Sequence, residues 1–287
     1  MKVLPFTIPV SDDRTIIVQV EEMPYFYTYL HRHKEIQLTC ILEGEGTLIA
    51  GMNMHLFQPG QIFIFGANLP HVFKSNPEYF AADSTKKIRA VTVFFNPQDK
   101  LSALFDLPEM KMLQGFMTAC DCGFKVPDEL FTEISDRLLG LLDSDSIIQL
   151  MEFIQLLKTL STVKNLEPLT VNPLLKTIAD NEGMRVATIY NYIIQNYNKA
   201  ITLEDVAEKA FMTPHAFCRY FKKHTRYTLV EFLNKVRINE ACKLLMNGSH
   251  SGIAEIAYSC GFNSITNFNR VFKSITGKSP RSYKEQY

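Results

Sequence analysis

The chain has no apolar run near the roughly 18 residues that cross a bilayer, so no membrane partner is expected for its 287 residues. The opening, MKVLPFTIPVSDD, holds Pro5 and Pro9 and no sustained apolar stretch before a small-residue cleavage site. It does not read as a secretion signal. Cysteine is sparse, six residues at 40, 120, 122, 218, 242 and 260, none of them in a CxxC pair. Neither a disulfide framework nor a zinc finger is expected, and reduced thiols in a cytoplasmic protein are. Also missing are a nucleophile–base motif, a phosphate-cradling glycine loop and a paired-cysteine zinc pattern, so no catalytic residue and no cofactor are expected. Net charge is zero, 30 Lys and Arg against 30 Asp and Glu. What is present, 46% hydrophobic and 21% charged residues, belongs to an ordinary folded protein of about two domains.

The zero balance conceals a division. From Glu182 onward there are 15 Lys and Arg against 8 Asp and Glu, a net of +7, and the remainder carries −7. Only the C-terminal part is therefore expected to meet a polyanion. Charge alone does not separate nucleic acid from a membrane surface.

Residues 14 to 95 read as strands and tight turns. Ile16–Val20, Ile36–Ile41, Gly46–Ala50, Gln61–Phe65 and Val91–Phe95 are short and rich in β-branched and aromatic residues. Gly- and Pro-bearing turns separate several of them, which argues for an antiparallel barrel or sandwich. From 128 to 163 the spacing turns helical. Leu130, Ile134, Leu138 and Leu141 form one apolar stripe, and Leu150, Phe153, Ile154, Leu157 and Leu160 another, with Asp143–Ser146 between. Such stripes either cover the strands or pair with a second copy. Residues 164–184 read as a linker between domains at 1–163 and 185–287.

The basic region repeats itself. Leu203-Glu-Asp-Val-Ala207 matches Ile253-Ala-Glu-Ile-Ala257 at an offset of 50, and Phe217, Arg219, Phe221 and Lys222 match Phe268, Arg270, Phe272 and Lys273 at an offset of 51. Each copy predicts a short helix, a turn and a second helix opened by a capping hydroxyl, Thr213 or Ser264. Gly261 can take a left-handed turn conformation. This is the layout of a helix-turn-helix, expected at about 203–224 and 253–275. The phenylalanines would pack on the first helix. The opposite faces would present Thr213, His215, Cys218, Arg219 and Lys222 in one copy, and Ser264, Thr266, Asn267, Asn269, Arg270 and Lys273 in the other. Such donors read base edges and grip phosphates. One long helix over Leu229–Met246 would tether the two, and a separation of about 34 Å would place both in successive major grooves.

The run Arg237–Leu245, followed by Ile253–Ala257, Gly261-Phe262, Asn267–Lys273 and Gly277–Tyr283, resembles the pattern of AraC-type transcription regulators. The resemblance implies sequence-specific binding to double-stranded promoter DNA, with RNA polymerase, a second copy and a small-molecule effector as further partners. His31-Arg-His33-Lys-Glu35, Leu42–Gly46, Pro59-Gly60 and Pro70-His71 resemble the cupin-like barrel that precedes the DNA-binding unit in many of these regulators. The fold class expected is thus α+β in two domains, a cupin-like antiparallel β-barrel with helices and then an all-α unit carrying two helix-turn-helix motifs. A pocket lined by His31, His33, Glu35, Phe63 and His71 would hold the effector, by analogy a sugar or related metabolite. Cupin enzymes hold a metal with an HxH pair, a carboxylate after three or four intervening residues, and a later His. Gln37 and Leu38 occupy the carboxylate positions, so no metal site is expected. The rival reading is a metal-dependent cupin enzyme with an accessory helical domain.

Overall fold

The computed structural model describes residues 14–26, 30–51, 53–81, 83–170, 188–190, 192–225, 227–246 and 252–285. They divide into two compact units, one within 4–177 and the other within 178–287. Among the described residues no helix is long and apolar enough to cross a membrane.

Among the described residues the first unit carries nine antiparallel strands, β1 (Ile16–Met23), β2 (Ile36–Glu43), β3 (Gly46–Ala50), β4 (Asn53–Phe57), β5 (Gln61–Phe65), β6 (His71–Ser75), β7 (Ile88–Phe95), β8 (Phe124–Lys125) and β9 (Glu167–Pro168). They form a sheet in the order β1-β7-β2-β5-β8-β9 and a second sheet in the order β4-β3-β6. The expected barrel is not closed. An isolated bridge pairs His31, which lies outside the named strands, with His71 at the start of β6. Helices α1 (Ser102–Phe105), α2 (Lys111–Ala119), α3 (Phe131–Asp143) and α4 (Ser146–Thr162) complete the unit.

Strands β2, β5 and β7 are buried almost end to end because they lie between two cores. Side chains alternate across a strand, so Ile36, Leu38, Cys40, Ile62, Ile64, Val91, Val93 and Phe95 face the helices. Their alternates Ile41, Phe63, Phe65, Ile88 and Ala90 join Leu48, Phe57 and Phe73 of the second sheet. The helical stripes belong to the first core. Ile134, Leu138, Leu141, Phe153, Leu157 and Leu160 are all buried there, with Leu130, Leu150 and Ile154 packed against it. Of the two readings of these stripes, covering the strands is the one observed. Asp145 ends the break between α3 and α4, its carboxylate accepting from the amides of Ile147 and Ile148.

The segment expected to be a linker, 164–184, starts inside this unit. Glu167–Pro168 pairs with β8, Leu169 is fully buried, and the carbonyl of Leu169 accepts from Asn53 Nδ2 at 3.0 Å. An apolar side chain with satisfied backbone partners is held, not spanning. Residues 171–184 of that expectation lie outside the described residues, as do 1–13 of the first domain.

The second unit is helical. Residues 188–190 and 192–196 are helical, followed by α5 (Leu203–Lys209), α6 (Pro214–Thr225), α7 (Leu229–Met246), α8 (Ile253–Ser259), α9 (Ile265–Thr276) and α10 (Pro280–Lys284). The internal repeat extends to its turns. The amide of Phe211 bonds to Glu208 O and that of Met212 to Ala207 O. At an offset of 50, Gly261 bonds to Tyr258 O and Phe262 to Ala257 O. Both first turn residues are left-handed, Phe211 at φ 55° and Gly261 at φ 85°. The inserted residue is therefore Asn263, after the turn.

Glycine adopts that conformation freely, whereas an L side chain pays about 1–2 kcal/mol. Phe211 is 91% exposed, so its ring contributes no burial to offset the strain. Phe211→Gly is expected to raise stability by about 0.5–1 kcal/mol in urea unfolding. Gly261→Ala should lower it by more than about 1 kcal/mol, since a Cβ there would stand 2.7 Å from the carbonyl oxygen of Tyr197 as well.

Candidate nucleic-acid interface and histidine cluster

Helices α6 and α9 are each rotated by two buried rings. Phe217 and Phe221 lie 5.3 Å apart between ring centroids, and Phe268 and Phe272 5.5 Å apart. All four are at most 1% exposed, with Val206 and Ala207 buried on α5 and Ile256 and Ala257 on α8. Residues four apart share a helix face, so burying one ring pair turns the remaining face outward. Thr213, His215, Cys218, Arg219 and Lys222 are all exposed, and so are Ser264, Thr266, Asn267, Asn269, Arg270 and Lys273. The two hydroxyls cap as expected. Thr213 Oγ1 accepts from the amide of Ala216 at 3.3 Å, and Ser264 Oγ from that of Asn267 at 3.4 Å. Arg270 is further ordered by Asn267, whose Oδ1 accepts from Nη2 at 2.9 Å.

Helix α7 joins the copies, and its Arg237 acts as a clamp. Nε donates to Tyr197 O at 2.8 Å and Nη2 to Lys199 O at 3.0 Å, while the guanidinium lies 5.7 Å from the ring centre of Phe262 in the second turn. Sequence patterning does not single this residue out, because its partners are backbone carbonyls some forty residues away. Burial pushes the Cys242 thiol up to about 11 and that of Cys260 to about 12, so these two are packing residues without thiolate chemistry.

The helix-turn-helix domain family matches residues 206–286. This segment is an AraC-type helix-turn-helix domain. The chain is 34% identical over 99 residues to the uncharacterized HTH-type transcriptional regulator YijO of Escherichia coli K12, covering 34% of this chain and 35% of that one. It is 27% identical over 123 residues to the melibiose operon regulatory protein of the same strain, covering 42% and 40%. The crystal structure of the DNA-binding domain of AdpA with a target DNA is 26% identical. That overlay covers 36% of this chain and 92% of that one at a TM-score of 0.34. This chain thus spans between a third and two fifths of the length of these curated relatives.

Upstream of the AraC-type domain, the residues expected to line an effector pocket separate. His31, His33 and His71 come together, with ligand nitrogens all within 4.8 Å of one another. Glu35 lies beside them, a carboxylate oxygen 3.5 Å from His33 Nδ1. It also lines a cavity of only about 30 Å³ with Arg14, Phe94 and Lys100. Phe63 is fully buried in the aromatic core, edge-on to Phe73 at 5.7 Å.

Gln37 is the residue that sequence reading left out of the site. Its Oε1 lies 2.9 Å from both His33 Nε2 and His71 Nε2, and its amide nitrogen donates to Thr39 Oγ1 at 2.7 Å. Thr39 in turn meets Thr92 Oγ1 at 3.2 Å. Strand alternation is the signal that finds it, since 37 and 39 share the face turned toward the second sheet. Burial lowers the pKa of His33, opposed by Gln37 and Glu35. Burial, and then the neighbouring His31 and His33, hold His71 well below the ordinary histidine value. Both rings are neutral at neutral pH.

The division of labour on α9 is testable by unfolding. Phe268→Ala is expected to cost about 3–5 kcal/mol through the cavity it leaves. Arg270→Ala should change stability by less than about 0.5 kcal/mol, and chemical denaturation of the full chain checks both.

Proposed function

We propose that the chain is a sequence-specific DNA-binding transcription regulator of the AraC type. In this reading it carries two helix-turn-helix motifs, about 203–224 and 253–275, and α6 and α9 enter successive major grooves of promoter DNA. The observation that carries it is the outward display, twice over, of Arg and Lys at matched positions beside a buried phenylalanine pair. One polar helix face is common on any surface. Two in register on a duplicated unit of net positive charge suit a repeating polyanion.

A small polar effector, a sugar or related metabolite, acts through the N-terminal unit. It can do so only by preferring one arrangement of the protein over another. His31, His33, Glu35 and His71 lie near its site, while Phe63 is packed in the aromatic core. The homodimer expected from the resemblance would use the exposed Ile147, Ile148 and Met151 of α4, not the stripes that are spent on the sheet.

Selection of bound oligonucleotides from a random pool, with gel-shift measurement of the winners, tests the reading. The wild type should prefer a selected site to random DNA, and equal affinity for both would overturn it. Arg270→Ala is expected to cost about 1–3 kcal/mol on the selected site and to relax preference at one position. Lys273→Ala should weaken all sequences alike and lower the salt slope by about 1.

A further inference from the structure

Two motifs joined by one helix can swing about its ends unless something else ties them together. The side chain of Arg237, in the middle of α7, makes a second tie. Residues 197–199 lead from the helical stretch 192–196 to Thr202, the residue that caps α5, so they are the entry to the first motif. Their carbonyls at Tyr197 and Lys199 accept from Arg237 Nε at 2.8 Å and Nη2 at 3.0 Å. On its other side the guanidinium lies 5.7 Å from the ring centre of the buried Phe262, whose amide closes the turn of the second motif on Ala257 O. One side chain thus touches the lead-in of one motif and the turn of the other.

The junction has no slack. A Cβ at Gly261 would stand 2.7 Å from Tyr197 O, 3.0 Å from the Asn198 Cα and 3.1 Å from Arg237 Nε. The second turn therefore already lies against the lead-in of the first motif. Carbonyls at a helix C-terminus carry partial negative charge, and a guanidinium offers several donors in one rigid plane that also stacks on a ring. An ammonium is a point charge on a flexible stem and reproduces neither. Arg237 is half-buried and lies on α7, outside the exposed faces of α6 and α9.

We propose that Arg237 is a positioning residue that holds the two motifs at one separation, so that DNA is bound as a pair of half-sites of fixed spacing. This inference rests on the DNA-binding reading. Two linked contacts reinforce each other only where the geometry lets both form at once. A rigid junction sets that geometry before binding and lowers the ordering cost of the second contact. Loosening it weakens binding to the paired site, spares binding to one half, and makes the protein tolerant of altered spacing.

The test compares the full-length wild type with Arg237→Lys, which keeps the charge, so that a lost phosphate attraction does not explain the result. Circular dichroism checks the fold. Amide hydrogen exchange of Gly261 and Phe262 is expected to quicken in the variant, while Phe211 and Met212, in the matched turn that Arg237 does not touch, keep their rates. General destabilisation would quicken both turns alike. Gel shifts then use the selected site, the same site with one base pair inserted between its halves, and the site with one half scrambled. The insertion moves the halves about 3.4 Å and turns them by about 34°. It should weaken wild-type binding at least about 10-fold, the scale of one mismatched base pair. The variant should bind the intact site about 10-fold more weakly than wild type, bind the half-scrambled site within about 2-fold of it, and lose most of the insertion penalty. An insertion penalty equal in both proteins would overturn the proposal, as would equal exchange changes in the two turns. A wild type that prefers the selected site yet tolerates the insertion would overturn it and leave the DNA-binding reading standing. A wild type with no preference for the selected site would remove that reading, and this inference with it.

Discussion

Two pairs of phenylalanines set the orientation on which the C-terminal unit depends. A helix has no preferred rotation until one of its faces is committed, and the burial of Phe217 with Phe221, and of Phe268 with Phe272, commits it. The polar faces are then consequences. Each ring removes a large apolar area from water, worth a few kcal/mol, while the exposed Arg and Lys side chains contribute little to folding. Stability is thereby assigned to one side of each helix, and the other side is left polar and exposed. The small Ala207 and Ala257 permit the close crossing, and the left-handed residue of each turn fixes the angle at which it occurs.

The N-terminal unit solves a different problem. Its central strands are apolar on both faces, which serves a sheet with helices on one side and a second sheet on the other. The exception is a polar line through that second interior, from His71 through Gln37 and Thr39 to Thr92. Buried polar groups cost free energy unless every one is partnered. The line runs beside Phe65, whose ring stacks on His71 at 4.3 Å, so water has little access to repair a missing bond. A polar network kept in such surroundings limits the ways the two sheets can pack.

The legibility of the chain follows the range of its interactions. The capping hydroxyls and the inward rings are local patterns within each copy of the repeat, and they read directly from the sequence. So do the five strands rich in β-branched and aromatic residues. Asn53–Phe57 and His71–Ser75 were missed because neither carries a clean alternation, and each is defined by pairing with β3. Barrel closure could not be read, since it depends on which strand edges meet. The joining of His33 and His71 through Gln37 is likewise a product of non-local pairing. The sequence does not show which side chains face inward, and Phe63, expected beside the histidines, is packed in the aromatic core. Within the span expected to be a linker, Pro168 sits in a two-residue edge strand that needs no proline amide.

The short edge strand has a mechanical corollary. Leu169 is gripped from both sheets, since its carbonyl receives Asn53 and His55 from β4, while its amide and that of Thr170 bond back to Gly123 and Cys122 next to β8. The end of β9 is therefore fastened across both sheets, so a change in their spacing would strain these four bonds together.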